Sequence, residues 1–501
     1  MSGPWRGPGP WADRVRVAAW AALVVAVVWP RLVGFTTDSD AYLDVAANLA
    51  GGRGLVQTVV DFWRPGNPDA LGMWPPLYPA GVAALSLLGI PLTIAARLLS
   101  AMAYVAFALA FHALARRAGG RGFAFVATLV VLLGPGLVQA GATAWSESLY
   151  LFLLTIALVA AYDLSHRGAR PPASGREAAW AGALFGLAAD TRYMGVALVP
   201  LVFALLWFGS VRRRTIAAWA AGAGLPIALW LGHNLAEFGR VFGPGLPTGT
   251  RTLAQIAASL AGSLRWEFLP GAFAHLPWIA VPALLGVALF TVWGLRVGGA
   301  PRWAALVAIA QLAFVALASW RAGINDPQGR YTLVAWPFLG LVVCVAVHAL
   351  IGRLFAGQRS ERIAEAMAAG LALLVVGAEL GRFVGTTVAP PAQEVARRHA
   401  QVALMRLIPP GPEPVLSDTG HLLRLTTGRP AVQVPPARFR VREFTAEDAR
   451  RWRERGVRVA VFRDSNRSEL GPYLAGRLSG GAGSWAAEDS AAGFVRYRVG
   501  P

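Results

Sequence analysis

Long apolar runs separated by short polar connections alternate along most of the chain, and only its last stretch breaks that pattern. A helix that crosses a bilayer needs roughly 20 consecutive apolar residues, so runs near that length predict spanning helices. They lie at 15–35, 92–115, 122–140, 148–163, 178–190, 194–210, 215–232, 277–296, 303–320, 331–351 and 363–383. A further run at 77–90 is short and bracketed by Pro75-Pro76 and Pro91, which predicts an interfacial or re-entrant helix instead. The runs at 178–190 and 194–210 are also short. Asp190-Thr191-Arg192-Tyr193 joins them, and polar backbone at that depth needs protein or a wet cavity around it.

Past Phe383 no run is long or apolar enough to span. Pro414 to Ser417, Ala431 to Val434 and Val457 to Phe462 read as short strands. Ala446 to Arg455 reads as a helix with Thr445 as its N-cap and Glu447-Asp448 in its first turn. This segment is long enough for one small α/β domain.

Composition removes the soluble alternative. The chain has 501 residues, 55% hydrophobic and only 15% charged, with a mean hydropathy of +0.50. Soluble domains carry charge on roughly 25% of their residues. The net charge of +19 would suit nucleic acid, but the chain contains no Lys and its Arg residues cluster between apolar runs. No basic stripe interleaved with aromatics occurs in the polar segment, which argues against a nucleic-acid partner. The single cysteine, Cys344, excludes an intrachain disulfide.

Arg placement then orients the chain. Arg116, Arg117 and Arg121; Arg167, Arg170 and Arg176; Arg212, Arg213 and Arg214; Arg296 and Arg302; and Arg353, Arg359 and Arg362 belong on the cytoplasmic side with the N-terminus. No small-residue cleavage site follows the first run, so an uncleaved first helix is expected. Satisfying these charges takes about eleven spans and puts the final segment outside. The expected fold is an all-α polytopic membrane protein with an interfacial helix in its first outer loop and a small C-terminal extracytoplasmic α/β domain. Residues 1–384 would form the membrane part and 385–501 the outer domain. Rich Ala, Gly, Pro and Arg without Lys suggests a high-GC bacterial genome, hence the bacterial plasma (inner) membrane.

Within such a chain, charged groups at membrane depth are costly and mark chemistry. Asp38 and Asp40 follow the first span; Asp38 reads as functional, whereas Asp40 divides evenly between function and capping a helix that begins at Ala41. Glu147 sits where two helices meet, either in a first helical turn or lining a cavity. Arg192 either pairs with Asp190 or grips a phosphate through its planar fork, and Arg330, beside Tyr331, either snorkels or does the same. His233-Asn234 closes the helix at 215–232, where Asn234 is either a C-cap or a site residue, and a long outward loop with Arg251 follows. His275 stands alone. No His or Cys pair has zinc spacing, and no Gly-rich nucleotide loop is present.

Asp38, Tyr42, Ala46 and Leu49, then Gly52 and Gly54, then Pro75-Pro76-Leu77-Tyr78-Pro79 form an ordered pattern. Ser146-Glu147, Thr191-Arg192, Asn234 with Gly239, and Arg330-Tyr331 continue it. The series resembles the GT-C membrane glycosyltransferases of the family 39 and protein mannosyltransferase-like type. Family members often carry Asp-Glu in the first loop; here Ser39 takes the second place and Asp40 stands near it. Nothing resembles the Trp-Trp-Asp motif of oligosaccharyltransferases.

The resemblance implies a polyprenyl-phosphate-linked sugar as donor and transfer on the outer face to a glycan, lipid or protein acceptor. It implies Asp38 and Asp40 as the catalytic carboxylates. Tyr42, Tyr78, Glu147, Arg192, Asn234, Arg251, Arg330 and Tyr331 would bind substrate. Acidic loops in this superfamily serve with or without a metal, so Mg2+ or Mn2+ is a possible cofactor. A lipid-linked sugar flippase or transporter and a non-catalytic assembly protein of the same fold are the rival readings; no inverted repeat supports transport.

Overall fold

The computed structural model describes residues 10–31, 34–60, 69–72, 74–167, 173–209, 211–243, 251–269, 276–321, 329–354, 392–408, 411–434, 450, 452, 454–463, 485–491 and 494–499. The chain divides into two compact units. One comprises Met1–Leu32, Arg97–Leu229 and Thr250–Ala389; the other comprises Val33–Ala96, Trp230–Gly249 and Pro390–Pro501.

Helices dominate the first unit: α1 (Pro10–Val28), α4 (Leu92–Leu132), α5 (Pro135–Ala142), α6 (Glu147–Ser165), α7 (Gly175–Ala189), α8 (Met194–Phe208), α9 (Arg213–Phe238), α10 (Leu253–Phe268), α11 (Pro277–Val297), α12 (Gly299–Arg321) and α13 (Trp336–Leu354). The first residues of α4 and the last of α9 belong to the second unit. Six helices among the described residues are long and apolar enough to cross a membrane: α4, α6, α9, α11, α12 and α13. The difference from about eleven has physical causes. Helices α7 and α8 have 15 residues each, about 22 Å at the helical rise against a hydrocarbon core of about 30 Å. Helix α1 carries Asp13, Arg14 and Arg16 in its first half. The run at 363–383 lies outside the described residues.

Two of the expected runs share α4. They meet at Gly120, whose φ of 81° and ψ of −165° only glycine tolerates without strain, inside the expected Arg116-to-Arg121 connection. Around it, helix ends rich in Arg pair with acids: Arg121 with Asp13, and Arg117 with Asp163. Arg167 meets Glu177 at 3.0 Å. The run at 122–140 is not one helix, because Gly134-Pro135 breaks it. Pro135 has no N–H for the Val131 carbonyl. Gly134 N–H and Trp336 Nε1 donate to that carbonyl instead, at 3.1 and 3.0 Å, and the Tyr104 hydroxyl donates to Leu132 O. Gly134 is required here, since a Cβ would stand 2.2 Å from Trp336 Nε1.

Helix α10 follows Arg251 within the stretch expected as a long outward loop after Asn234. Thr252 caps it, accepting from the Gln255 N–H while Gln255 Oε1 accepts from the Thr252 N–H. Helix α9 also runs on to Phe238, so His233 and Asn234 lie inside it and not at its end.

The second unit holds α2 (Thr37–Ala50), β1 (Val59–Val60), α3 (Leu77–Leu87), α14 (Ala392–Leu407), β2 (Val415–Ser417), α15 (Gly420–Thr427), β3 (Ala431–Gln433), β4 (Val459–Arg463), β5 (Trp485–Ala491) and β6 (Phe494–Val499). The short α3, 11 residues long, occupies the stretch set apart from the spans. Six strands form one sheet in the order β1-β3-β2-β4-β6-β5, parallel through β4 and antiparallel beyond it. Val59 of β1 packs in one core with Leu404, Leu407 and Ile408 beside α14's end, Val415, Leu423, Val461 and Phe494. The expected helix at Ala446 to Arg455 falls largely outside the described residues. Arg455 itself grips Asp69 through two hydrogen bonds of 2.9 and 3.0 Å.

A buried polar stripe fixes β1. Asp40, Asp44 and Asn48 recur every fourth residue of α2, on one face, and are 2%, 2% and 1% exposed. Asp44 Oδ2 accepts the Thr58 and Val59 N–H groups at 2.7 and 3.2 Å. Asn48 donates to Val56 O at 2.7 Å and accepts from the Thr58 hydroxyl at 3.2 Å. Asp44→Ala removes the acceptor of two backbone donors, and a loss of about 2–4 kcal/mol is expected in denaturant unfolding, with Asp44→Asn milder.

Candidate functional site

The carboxylates singled out in the sequence lie in the first turn of α2, where the helix dipole favours negative charge. The helix starts earlier than expected. Thr36 is its N-cap and Ser39 Oγ accepts the Thr36 N–H at 2.9 Å. Asp40 is therefore a first-turn residue and not the cap. The two aspartates differ in surroundings: Asp40 is buried in the stripe with Asp44 and Asn48, while Asp38 is half-buried. Tyr42, one turn beyond Asp38, is 3% exposed and packs against Tyr78 with ring centroids 5.0 Å apart. Tyr78 is fully buried and its hydroxyl donates to Ala96 O at 2.8 Å. Asn234 is also in this unit, fully buried, donating to Val241 O at 3.1 Å and so tying α9 to the turn that follows it.

In the first unit the structure brings Glu147, Arg192 and Arg330 together. Glu147 is the first residue of α6 and has no exposed surface. Its Oε1 meets Arg192 Nη1 at 2.8 Å and accepts a hydrogen bond from Arg330 Nε. Arg192 also donates to Ser146 Oγ at 3.1 Å, and the Arg330 guanidinium lies over the Trp145 ring, 5.0 Å from its centroid. Arg192 stands in the turn between α7 and α8, and Arg330 in the 3-10 turn Gly329–Tyr331. The expected Asp190–Arg192 pair is not what forms. Arg192 turns to Glu147, and Asp190 Oδ1 is buried with no hydrogen-bond partner among the described residues.

The approach to Glu147 is held by one face of α4. Arg97, Ser100 and Tyr104, at positions i, i+3 and i+7, face the 132–145 segment. Arg97 Nε donates to Ala142 O at 2.9 Å, and the Ser100 hydroxyl donates to Trp145 O at 2.9 Å and accepts the Trp145 N–H at 3.3 Å. Tyr104 closes the stripe on Leu132 O. The carboxylate therefore rests on a bonded frame, and its two guanidiniums leave this triad with one positive charge in excess. The two side chains are 11% and 19% exposed, for Arg192 and Arg330.

Arg251 is half-buried just ahead of the α10 cap, and Tyr331 is half-buried beside Arg330. His275 and Asp326 to Gln328 lie outside the described residues. Asp44, Asn48, Trp74 and His421 were not picked out as candidates. The fourfold spacing of Asp40, Asp44 and Asn48 was a legible signal for two of them. Among the described residues, no group of three or more His, Cys, Asp or Glu could hold a metal ion.

Solved structures share the fold. ArnT from Cupriavidus metallidurans, bound to undecaprenyl phosphate, superimposes with a TM-score of 0.61 at 16% identity over 98% of each chain. The archaeal oligosaccharyltransferase AglB from Archaeoglobus fulgidus, in complex with an inhibitory peptide and a dolichol-phosphate, gives 0.58 at 12% identity over 97% of this chain and 74% of that one. The chain shares the fold of these two proteins. The expectation drawn from the ordered motifs is met at the level of the fold, a mostly helical chain with six candidate membrane spans among its described residues. No family model and no curated protein sequence matches the chain.

Proposed function

We propose that this chain is an integral-membrane glycosyltransferase of the GT-C type in the bacterial inner membrane, with its N-terminus cytoplasmic and its C-terminal segment extracytoplasmic. It transfers a sugar from a polyprenyl-phosphate donor to an extracytoplasmic glycan, lipid or protein, with inversion. The observation that carries the reading is the convergence of two little-exposed guanidiniums, Arg192 and Arg330, on the buried Glu147, in a fold shared with proteins bound to undecaprenyl phosphate and dolichol-phosphate. A phosphate monoanion or diester matches two planar guanidiniums through paired hydrogen bonds.

Asp38, the more accessible of the two aspartates, takes the proton of the acceptor hydroxyl. The acceptor oxygen bonds to the anomeric carbon, and the bond from that carbon to the phosphate oxygen breaks with its electrons leaving on polyprenyl phosphate. Arg330 and Arg192, with Arg251, stabilise the charge that develops there. Glu147 anchors both arginines. Asp40, buried on α2, orients Asp38's helix; Tyr42, Tyr78, Asn234 and Tyr331 shape the surroundings of sugar and acceptor.

The purified full-length protein, given short-chain polyprenyl-phosphate sugars, is expected to release polyprenyl phosphate only when an acceptor is present. Turnover with Mg2+, with Mn2+ and with a chelator reads whether a divalent cation assists. Glycan and lipid profiling of a deletion strain names the missing linkage. A deletion profile identical to the parent, together with no lipid phosphate from any donor, would remove the transferase reading.

A further inference from the structure

An aromatic chain runs through the second unit from its core to half-buried Trp74. Tyr78, fully buried, packs on Tyr42, and the Tyr42 and Trp74 ring centroids stand 6.0 Å apart at 72°. Trp74 also meets His421, 6.2 Å away and nearly perpendicular at 79°. His421 comes from the far end of the sequence, in the first turn of α15, which packs against α2. It is 7% exposed, and its Nδ1 is buried with no hydrogen-bond partner among the described residues.

An imidazole nitrogen left unbonded next to aromatic rings is an unmet polar demand. Structural packing alone does not account for it, since an apolar ring would fill the same space at lower cost. An apolar face with one or two converging polar atoms is how small-molecule sites fix a ligand that has both kinds of surface. A pyranose ring has that character: its axial C–H groups lie on an aromatic face while its hydroxyls reach outward to donors and acceptors. Tyr42 stands four residues after Asp38, so the aromatic chain starts on the same face of α2 as the proposed base.

We propose that Trp74 and His421 form a pyranose-binding subsite, Trp74 supplying the ring face and His421 Nδ1 the hydrogen bond to a sugar hydroxyl. The subsite rests on the glycosyltransferase reading and assigns the C-terminal segment a direct part in holding carbohydrate. The pyranosyl unit comes from the donor or from the acceptor.

The test uses the full-length protein in detergent and a panel of methyl α- and β-pyranosides of glucose, galactose and mannose, followed by saturation-transfer difference NMR. Wild type is expected to saturate at least one of them. His421→Phe keeps the ring packing and removes the nitrogen, and it should weaken that pyranoside about tenfold, as should Trp74→Leu. Trp180→Leu, a change on exposed α7 surface, should leave it unaltered. Melting curves confirm that each variant is folded; if Trp74→Leu is not, His421→Phe alone decides. Displacement of the pyranoside by the matching glycosyl phosphate assigns the subsite to the donor sugar, and persistence assigns it to the acceptor. No saturation in wild type, or saturation unchanged in folded His421→Phe, overturns the subsite. Wild type that releases lipid phosphate while His421→Phe binds sugar normally loses the subsite only. Sugar binding that depends on His421 in a protein with no lipid-phosphate release loses the transferase reading only.

Discussion

Glu147→Ala is expected to destabilise the protein by about 3–5 kcal/mol, the typical cost of breaking a buried ion pair from one side. The variant removes the carboxylate that Arg192 and Arg330 share, while Ser146 and Trp145 still hold them in place. Thermal unfolding of the purified protein measures the loss. Glu147→Gln keeps the shape and one acceptor and should lose less. Inorganic phosphate supplies the contrast: an anion that binds the folded state raises its stability by mass action. The melting temperature of Glu147→Ala should therefore rise with phosphate more than that of wild type. A variant as stable as wild type would show that the triad carries little charge strain.

Asp38→Asn should lower turnover by about 10²–10⁴-fold, the usual contribution of a positioned general base. Asn is close in shape and cannot take a proton, so donor binding should be nearly unchanged and the loss should fall on kcat. Asp40→Asn is expected to behave differently. Its side chain is buried beside Asp44 and Asn48, so stability should fall along with activity. Single-turnover release of polyprenyl phosphate, measured beside unfolding curves, separates the two. Full activity in Asp38→Asn would take the base role away from this residue.

The helices were legible because hydrophobic length is a local property. The Gly120 turn and the short α3 were also visible, one through Arg and Gly clustering and the other through flanking prolines. Span length was read less well, because apolar character continues across breaks. Gly134-Pro135 interrupts a run that hydropathy alone joins, and the carbonyls it frees are met by Trp336 and Tyr104 from distant helices. Helix α10 was passed over since its 16 residues mix polar and apolar positions.

Residues of the candidate site were legible as types and not as partners. Arg192 was expected beside Asp190 because the two are neighbours in sequence, yet burial of Glu147 makes it the stronger claimant for both arginines. The start of α2 was misplaced because Asp40 is as good a cap by type as Thr36, and only the backbone distinguishes them. His421 carries no local signal at all. Its role depends on α15 packing against α2, a contact made between opposite ends of the chain.

Strand β1 pairs in parallel with β3, Val59 opposite Ala431. The ribosome makes these two segments far apart in time, and at 5–20 residues per second the interval is on the order of tens of seconds. Throughout that wait the early strand has no neighbour for the hydrogen-bonding edge that will face β3, and unpaired edges invite association with other chains. Biogenesis should therefore call for a guardian of that edge, and a nascent chain stalled before Ala431 should be the form most prone to aggregate or to be degraded.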